Sequence, residues 1–157
     1  MKRRIGFLLR TGSRTVISGA CLLLLAAQPA LPFFHDNPDV ELGQRVYESV
    51  CSACHGTRLQ GNPDWQSANP DGTYPAPPHD ETGHTWHHGN AMLLDYIRRG
   101  GQAVLGDMGV EFKSGMPAFE GQLSEAEIGA VLDYIKSTWP ERIRAVQAQR
   151  TAVEAQE

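Results

Sequence analysis

The sequence predicts an all-α domain with long loops. Three segments carry apolar residues at helical spacing, and no series of alternating apolar and polar residues suggests a sheet. The stretches between these segments are dense in Pro, Gly, Asn and Asp, which favour turns and irregular loops. A length of 157 residues suits one domain with one packed core.

The amino terminus predicts an export segment at residues 1–30. Five basic residues and no acidic residue lie within the first fourteen, and an apolar run with small residues follows. This layout is typical of a secretory signal peptide. The uncharged stretch 15–34 is 20 residues long, about the span of a membrane helix, so a retained N-terminal membrane anchor stays as the alternative. In either case we expect the rest of the chain in the periplasm.

One compact domain is expected at residues 37–139, and its helices are expected in "NPDVELGQRVYESV", "GNAMLLDYIRRGG" and "LSEAEIGAVLDYIKSTWP". The first has an imperfect apolar face. The second ends at Gly100, a residue type that commonly terminates helices. The third begins with a capping box formed by Ser124 and Glu127, and Pro140 interrupts it.

The other segments are predicted to be irregular or marginally ordered. Loops are expected at residues 61–83 and 102–121, where Gly and Pro recur. The tail, residues 140–157, is charged and rich in Ala and Gln, and its apolar stripe is thin. We expect a frayed or partly docked helix there, with a solvated extension or a partner-binding segment as its two roles.

The charge of the exported part restricts its partners. From residue 31 onward the chain has 9 basic and 18 acidic residues, a formal net charge of −9. Nucleic acid selects basic surfaces, so we expect no nucleic-acid partner. An acidic surface suits protein partners that present a basic docking patch.

The segment "CSACH" places Cys51 and Cys54 three positions apart, with His55 immediately after them. A redox dithiol of the thioredoxin type needs a βαβ context, which the sequence does not predict. A zinc site would recruit His79 and His84, but 24 residues separate Cys54 from His79, against about 12–15 in a compact zinc finger. "CSACH" also matches the attachment signature of c-type haem, in which both thiols bind one haem and the histidine lies beneath the iron. The sequence therefore predicts one covalently bound haem c.

Three methionines of the exported part are candidates for the opposite side of the iron. Met92 lies on the apolar face of a predicted helix, where core packing is the ordinary role. Met116 lies in "KSGMPAF", where Gly115 permits close approach of the chain and a proline fixes the following turn. We prefer Met116 as the sixth ligand, with Met108 or a histidine as alternatives.

These motifs resemble those of class I monohaem c-type cytochromes of exported bacterial type. The resemblance covers about residues 40–139 and rests on "CSACH", on "GMPAF" and on the flanking helices, where Gly43, Tyr47 and Tyr134 match the crossing of the first and last helices. It implies the class I cytochrome c fold, with about 3–5 helices and long loops wrapped around one covalently bound haem.

The same resemblance implies the iron ligands and their neighbours. His55 and Met116 would be the axial ligands. A proline carbonyl would orient the His55 imidazole, and Pro77 or Pro78 is the nearest match. Trp86 matches a tryptophan that donates to a haem propionate, with plain packing as the alternative.

Four histidines, His79, His84, His87 and His88, lie within ten residues. Imidazole suits copper and zinc, so a second metal site is one interpretation. The other is a loop whose histidines hydrogen-bond haem propionates and the backbone.

Together these observations predict a periplasmic one-electron carrier that relays electrons between respiratory or dehydrogenase partners and is not an enzyme. Two alternatives stay open. One is a haem enzyme or gas-binding sensor with an open sixth site, for which the segment 101–115 is the feature to examine. The other is a copper-linked module that uses the cluster from His79 to His88.

Overall fold

The computed structural model describes residues 38–156, so the predicted export segment lies outside the described residues. Helices α1 to α6 are, in chain order, Pro38–Val46, Ser52–His55, Asn90–Arg99, Gly101–Asp107, Glu125–Ser137 and Glu141–Glu154. A π-helical turn, Tyr47–Cys51, joins α1 to α2, and a 3-10 turn, Thr85–His87, precedes α3. Between residues 38 and 156 the extended pairings are isolated bridges without a strand, so the all-α prediction is confirmed. No helix in this range is long and apolar enough to cross a membrane.

The core forms where α1 crosses α5. Its buried apolar residues come from the first helical segment, the following loop, α5, the turn after α5, and α6: Val46, Tyr47, Leu59, Val131, Ile135, Trp139 and Ile143. Gly43 makes the crossing close, because a Cβ at this position would overlap the carbonyl oxygen of Ala130 and lie 2.8 Å from the Cβ of Tyr134. The crossing fixes the direction in which α1 continues towards the cysteines.

Two expectations about regular structure were wrong. The first helical segment does not end at residue 50 but continues through the π-helical turn and α2 to His55. The stretch 102–121 is not irregular throughout, because α4 covers Gly101–Asp107. Two glycines in α4 weaken its helical signal, whereas the buried side chain of Val104 stabilises it by packing. Gly100, with φ of 78°, separates α3 from α4.

The tail forms a docked helix rather than a frayed one. In α6, Ile143 is 2% exposed and Gln147 is 1% exposed. The Gln147 amide donates to the side-chain oxygen of Asn90 at 2.8 Å. The Glu154 carboxylate accepts from the Ala91 and Met92 N–H groups in the first turn of α3, at 2.7 Å and 2.9 Å. Polar contacts from a distant element therefore supply the N-terminal cap of α3, which explains why a thin apolar stripe sufficed for docking.

The predicted capping box of α5 is present: the Ser124 hydroxyl accepts from the Glu127 N–H, and the Glu127 carboxylate accepts from the Ser124 N–H at 2.8 Å. We expect Ser124→Ala to lower the free energy of unfolding by about 0.5–2 kcal/mol. Urea denaturation of the variant measures this loss. Ser67→Ala, in an exposed loop, is the control, and an equal loss in both variants would contradict the assignment.

The same capping box makes α5 sensitive to acid. Hydrogen bonds from the Ser124 N–H and hydroxyl lower the pKa of the Glu127 carboxyl. This contribution to stability is complete above the pKa of the unfolded chain and is lost as the pH falls through the lowered folded pKa.

Candidate functional site

His55 is the last residue of α2, and its imidazole is 7% exposed. Its Nδ1 donates to the carbonyl oxygen of Pro77 at 2.8 Å. Because Nδ1 carries the proton, the lone pair that can bind a metal lies on Nε2. The contact fixes both the tautomer of the ring and its orientation.

Gly61 brings the proline segment close enough to make this contact. A Cβ on Gly61, whose φ is 62°, would overlap the backbone at Pro77 and Pro78. The Gly61 N–H donates to the carbonyl oxygen of His55 at 2.8 Å, so one glycine ties the turn after α2 to the proline segment. The sequence left Pro77 and Pro78 open, and in the structure the oxygen at the imidazole belongs to Pro77. Gly61 was not among the residues predicted from the sequence, although a glycine between the histidine and a proline-rich loop was an available signal.

His79 packs directly on His55. The two rings are stacked with centroids 4.0 Å apart and an interplanar angle of 24°. The Nδ1 atom of His79 is 2.9 Å from the hydroxyl of Thr85, and its carbonyl oxygen accepts from the indole N–H of Trp139 at 2.7 Å. From the sequence, His79 was grouped with the other clustered histidines, and its stacking on His55 was not predicted.

Tyr47 stabilises the turn that follows α2. Its side chain is completely buried, and its hydroxyl donates to the carbonyl oxygen of Gly56 at 3.0 Å. Burial raises the pKa of the Tyr47 phenol far above its ordinary value, so the hydroxyl keeps its proton and stays a donor. The resemblance had assigned Tyr47 only to the helix crossing.

The surroundings favour the neutral form of both imidazoles. Burial lowers the pKa of His55, and the hydrogen bond to Pro77 opposes that change in part. Burial and the positive charge of a protonated His55 lower the pKa of His79 well below its ordinary value. Neutral imidazole is the form that binds a metal, so the protonation state of His55 suits an iron ligand.

The two cysteines lie on the same helical segment with different exposure. Cys51 is half-buried against the core, whereas Cys54 is exposed, and the two are not joined by a disulfide. Burial, and secondly the charge of a Cys54 thiolate, raise the pKa of the Cys51 thiol to about 11. A thiol with a raised pKa stays protonated at neutral pH and is a weak nucleophile, which disfavours the dithiol interpretation. In the described part of the chain, no group of three or more His, Cys, Asp or Glu side chains is arranged to hold a metal ion.

Met116 lies half-buried in a loop that hydrogen bonds attach to the end of α3 and the start of α4. Its carbonyl oxygen accepts from the Gly101 N–H at 3.2 Å, and its own N–H donates to the Ser114 hydroxyl at 3.2 Å. Three residues further on, the Phe119 and Glu120 N–H groups donate to carbonyl oxygens at the end of α3. These bonds fix the backbone of Met116 independently of its side chain.

The other two methionines differ from Met116 in position. Met92 is half-buried in the first turn of α3, and Met108 is 57% exposed at the end of α4. Both line an open cleft of about 350 Å³ between α3 and α6. The structure therefore places them beside the docked tail.

The donor set fits a c-type haem. It comprises two unpaired thiols one helical turn apart, a buried neutral imidazole with one nitrogen held by a carbonyl, and a thioether on a fixed loop. The face of α3 that was predicted to point inward is half-buried and contributes apolar side chains: Met92, Leu93, Tyr96 and Ile97.

The histidine cluster divides into two parts. His79 contacts His55, whereas His84, His87 and His88 lie around the 3-10 turn. Trp86 lies in the same turn, where its indole N–H donates to the carbonyl oxygen of Glu81 at 3.3 Å and its ring stacks on His87. A contact of Trp86 with a haem propionate stays a prediction.

Comparison with known proteins identifies the family. A family model described as "Cytochrome c" matches residues 40–139, which include both cysteines, His55 and Met116. No curated protein and no solved structure matches the chain.

Proposed function

The chain belongs to the cytochrome c family, with covalently bound haem c, and we propose that it is an exported one-electron carrier with His55 and Met116 as axial ligands. When bound, the haem supplies an iron that gains and loses one electron. The observation that carries the proposal is the hydrogen bond from His55 Nδ1 to Pro77, because it leaves Nε2 as the ligand atom and fixes its direction. The fit of the two thiols and the match to residues 40–139 support the same conclusion.

The protein residues would keep the iron surroundings constant when its charge changes. Gly61 and Tyr47 hold the backbone on the His55 side, and the hydrogen bonds of Ser114 and Gly101 hold the Met116 loop. Rigid ligands on both sides suit electron transfer, because little structure has to rearrange, and they disfavour chemistry that needs an open coordination site. This is why we prefer a carrier to a haem enzyme or gas sensor.

The surface around Cys54 would meet the redox partners. Cys54 is exposed whereas Cys51 faces the core, so the edge of a haem attached to both would reach the surface on the Cys54 side. The excess of acidic residues after residue 30 favours a partner with a basic docking patch. A respiratory complex, an oxidase or a dehydrogenase in the periplasm would be such a partner, reached after export directed by residues 1–30.

The absorption spectrum of the purified protein, made together with haem-maturation enzymes, tests the proposal. We expect a low-spin haem that stays attached under denaturing conditions, a weak far-red band from sulfur-to-iron charge transfer, and no spectral change when carbon monoxide is added to the reduced protein. A high-spin spectrum with ready carbon monoxide binding would mean that the sixth site is open, and the enzyme or sensor function would replace the carrier.

A further inference from the structure

A pair of histidines beside the 3-10 turn lies outside the donor set assigned to the haem. The Nε2 atoms of His84 and His88 lie 3.0 Å apart, and their ring centroids are 4.9 Å apart. His84 is exposed and His88 is half-buried, so the pair opens to solvent. It is separate from the stacked rings of His55 and His79.

The distance between the two nitrogens fits adjacent ligands of one metal ion. With a metal–nitrogen distance of about 2.0–2.1 Å, two adjacent ligands lie about 2.9 Å apart at a right angle and about 3.3 Å apart at a tetrahedral angle. The separation of 3.0 Å is near the right-angle value, which is the arrangement of square-planar Cu(II). We propose that His84 and His88 form a copper site, binding Cu(II) through their Nε2 atoms in neighbouring positions.

Without metal, the separation of 3.0 Å between the two Nε2 atoms fits one N–H···N hydrogen bond between the rings. In that state one Nε2 carries a proton and the other accepts it. When copper binds, the protonated ring moves its proton to Nδ1, so both Nε2 lone pairs face the metal and neither ring changes its charge.

Hydrogen bonds to the backbone hold the main chain of the two residues at a fixed spacing before any metal arrives. The His87 N–H donates to the carbonyl oxygen of His84 at 3.0 Å, and the His88 N–H donates to that of Thr85 at 3.2 Å. The Gln147 amide of α6 donates to the carbonyl oxygen of His88 at 3.3 Å. Because the turn and the docked tail fix the spacing, little order has to be created on binding.

The electrostatic surroundings favour neutral rings. Burial and neighbouring histidines lower the pKa of both His84 and His88. For His88 the charge of Arg150 acts in the same direction, and that of Glu154 acts against it. Neutral imidazole is the form that binds copper.

Two protein ligands make an exchangeable site rather than a closed one. No third His, Cys, Asp or Glu completes it within residues 38–156, so water or a group from another molecule fills the remaining positions. His88 also borders the cleft that Met92 and Met108 line, which leaves one side of the pair accessible. Such a site suits copper that is taken up and released.

The test is a titration of the untagged, oxidised haem protein with copper sulfate, followed by electron paramagnetic resonance and calorimetry. Oxidised protein is used so that the haem does not reduce the metal. We expect one equivalent of Cu(II) with nitrogen hyperfine structure. His84→Gln and His88→Gln should each weaken binding by at least about tenfold, since loss of an outer partner of a metal ligand alone costs about 10–100-fold.

His87→Gln is the matched control, because His87 is an exposed neighbour whose ring stacks on Trp86 and meets the His84 ring only edge-on, with centroids 6.1 Å apart. It should change the affinity by less than about threefold, far below the loss expected for a ligand. The haem spectrum of each variant reports correct folding, and exposed His84 gives a variant that does not depend on the core. Absence of stoichiometric binding, or equal effects of all three substitutions, would overturn the proposal.

Discussion

Replacement of Met116 by alanine is expected to convert a closed haem iron into one that binds carbon monoxide. The substitution removes the thioether sulfur, and a methyl group cannot reach the metal. The loop should keep its conformation, because Met116 is attached through its N–H and carbonyl groups to Ser114 and Gly101. The expected change is therefore one of ligation rather than of folding.

Two measurements report that change. The weak far-red band should disappear, and the reduced protein should show a carbon monoxide spectrum. The reduction potential should also fall by on the order of 0.2 V, within the roughly 0.8 V range that axial ligands set, because a thioether favours ferrous iron.

Met108→Ala is the matched control for methionine loss. Met108 is 57% exposed, so its replacement should leave the far-red band, the potential and the response to carbon monoxide unchanged. If Met108→Ala abolished the band and Met116→Ala kept it, the assignment of the sixth ligand would be reversed. If neither variant bound carbon monoxide, a histidine would be the better candidate.

The sequence predicted those parts of the site that depend on neighbouring residues. The three chemical groups of "CSACH" are adjacent in the chain, and helical spacing alone places Cys51 and Cys54 one turn apart. The capping box of α5 is likewise local, with Ser124 and Glu127 three positions apart.

The parts that were missed depend on contacts between distant segments. The bond that orients His55 joins residues 22 positions apart, and the bond from Trp139 to His79 spans 60 positions. The periodicity of a sequence does not encode such pairs. The sequence therefore did not decide whether Pro77 or Pro78 accepts the hydrogen bond from His55, and it did not predict that His79 stacks on His55. For the same reason full docking of α6 was not predicted and a frayed or partly docked helix was expected, since Gln147 and Glu154 are polar residues whose partners lie on α3.

Replacement of Gly43 by alanine is expected to lower the free energy of unfolding by more than Ser124→Ala does. A Cβ at this position would overlap the carbonyl oxygen of Ala130, and its neighbours on α5 include the Cβ of Tyr134 at 2.8 Å. These atoms belong to the backbone or to the base of a side chain, so no rotamer change relieves the overlap, and α1 must move away from α5. Overpacking costs about 1–3 kcal/mol, and an overlap with backbone atoms belongs at the upper end of this range or above it, so the cost exceeds the gain of about 1 kcal/mol from replacing a helical glycine.

Gly129→Ala, on α5 itself, separates the overlap from the propensity of glycine. A Cβ on Gly129 would meet no atom within 4 Å, so this variant should gain about 0.5–1 kcal/mol in the free energy of unfolding. Urea denaturation of the haem protein gives both values. The change in the free energy of unfolding is expected to have opposite signs in the two variants, because each adds the same methyl group but the surroundings of the two glycines differ. If both variants lost free energy of unfolding, the loss at Gly43 could not be assigned to the overlap with Ala130. If both gained, α1 and α5 would lie further apart at Gly43 than the structure shows.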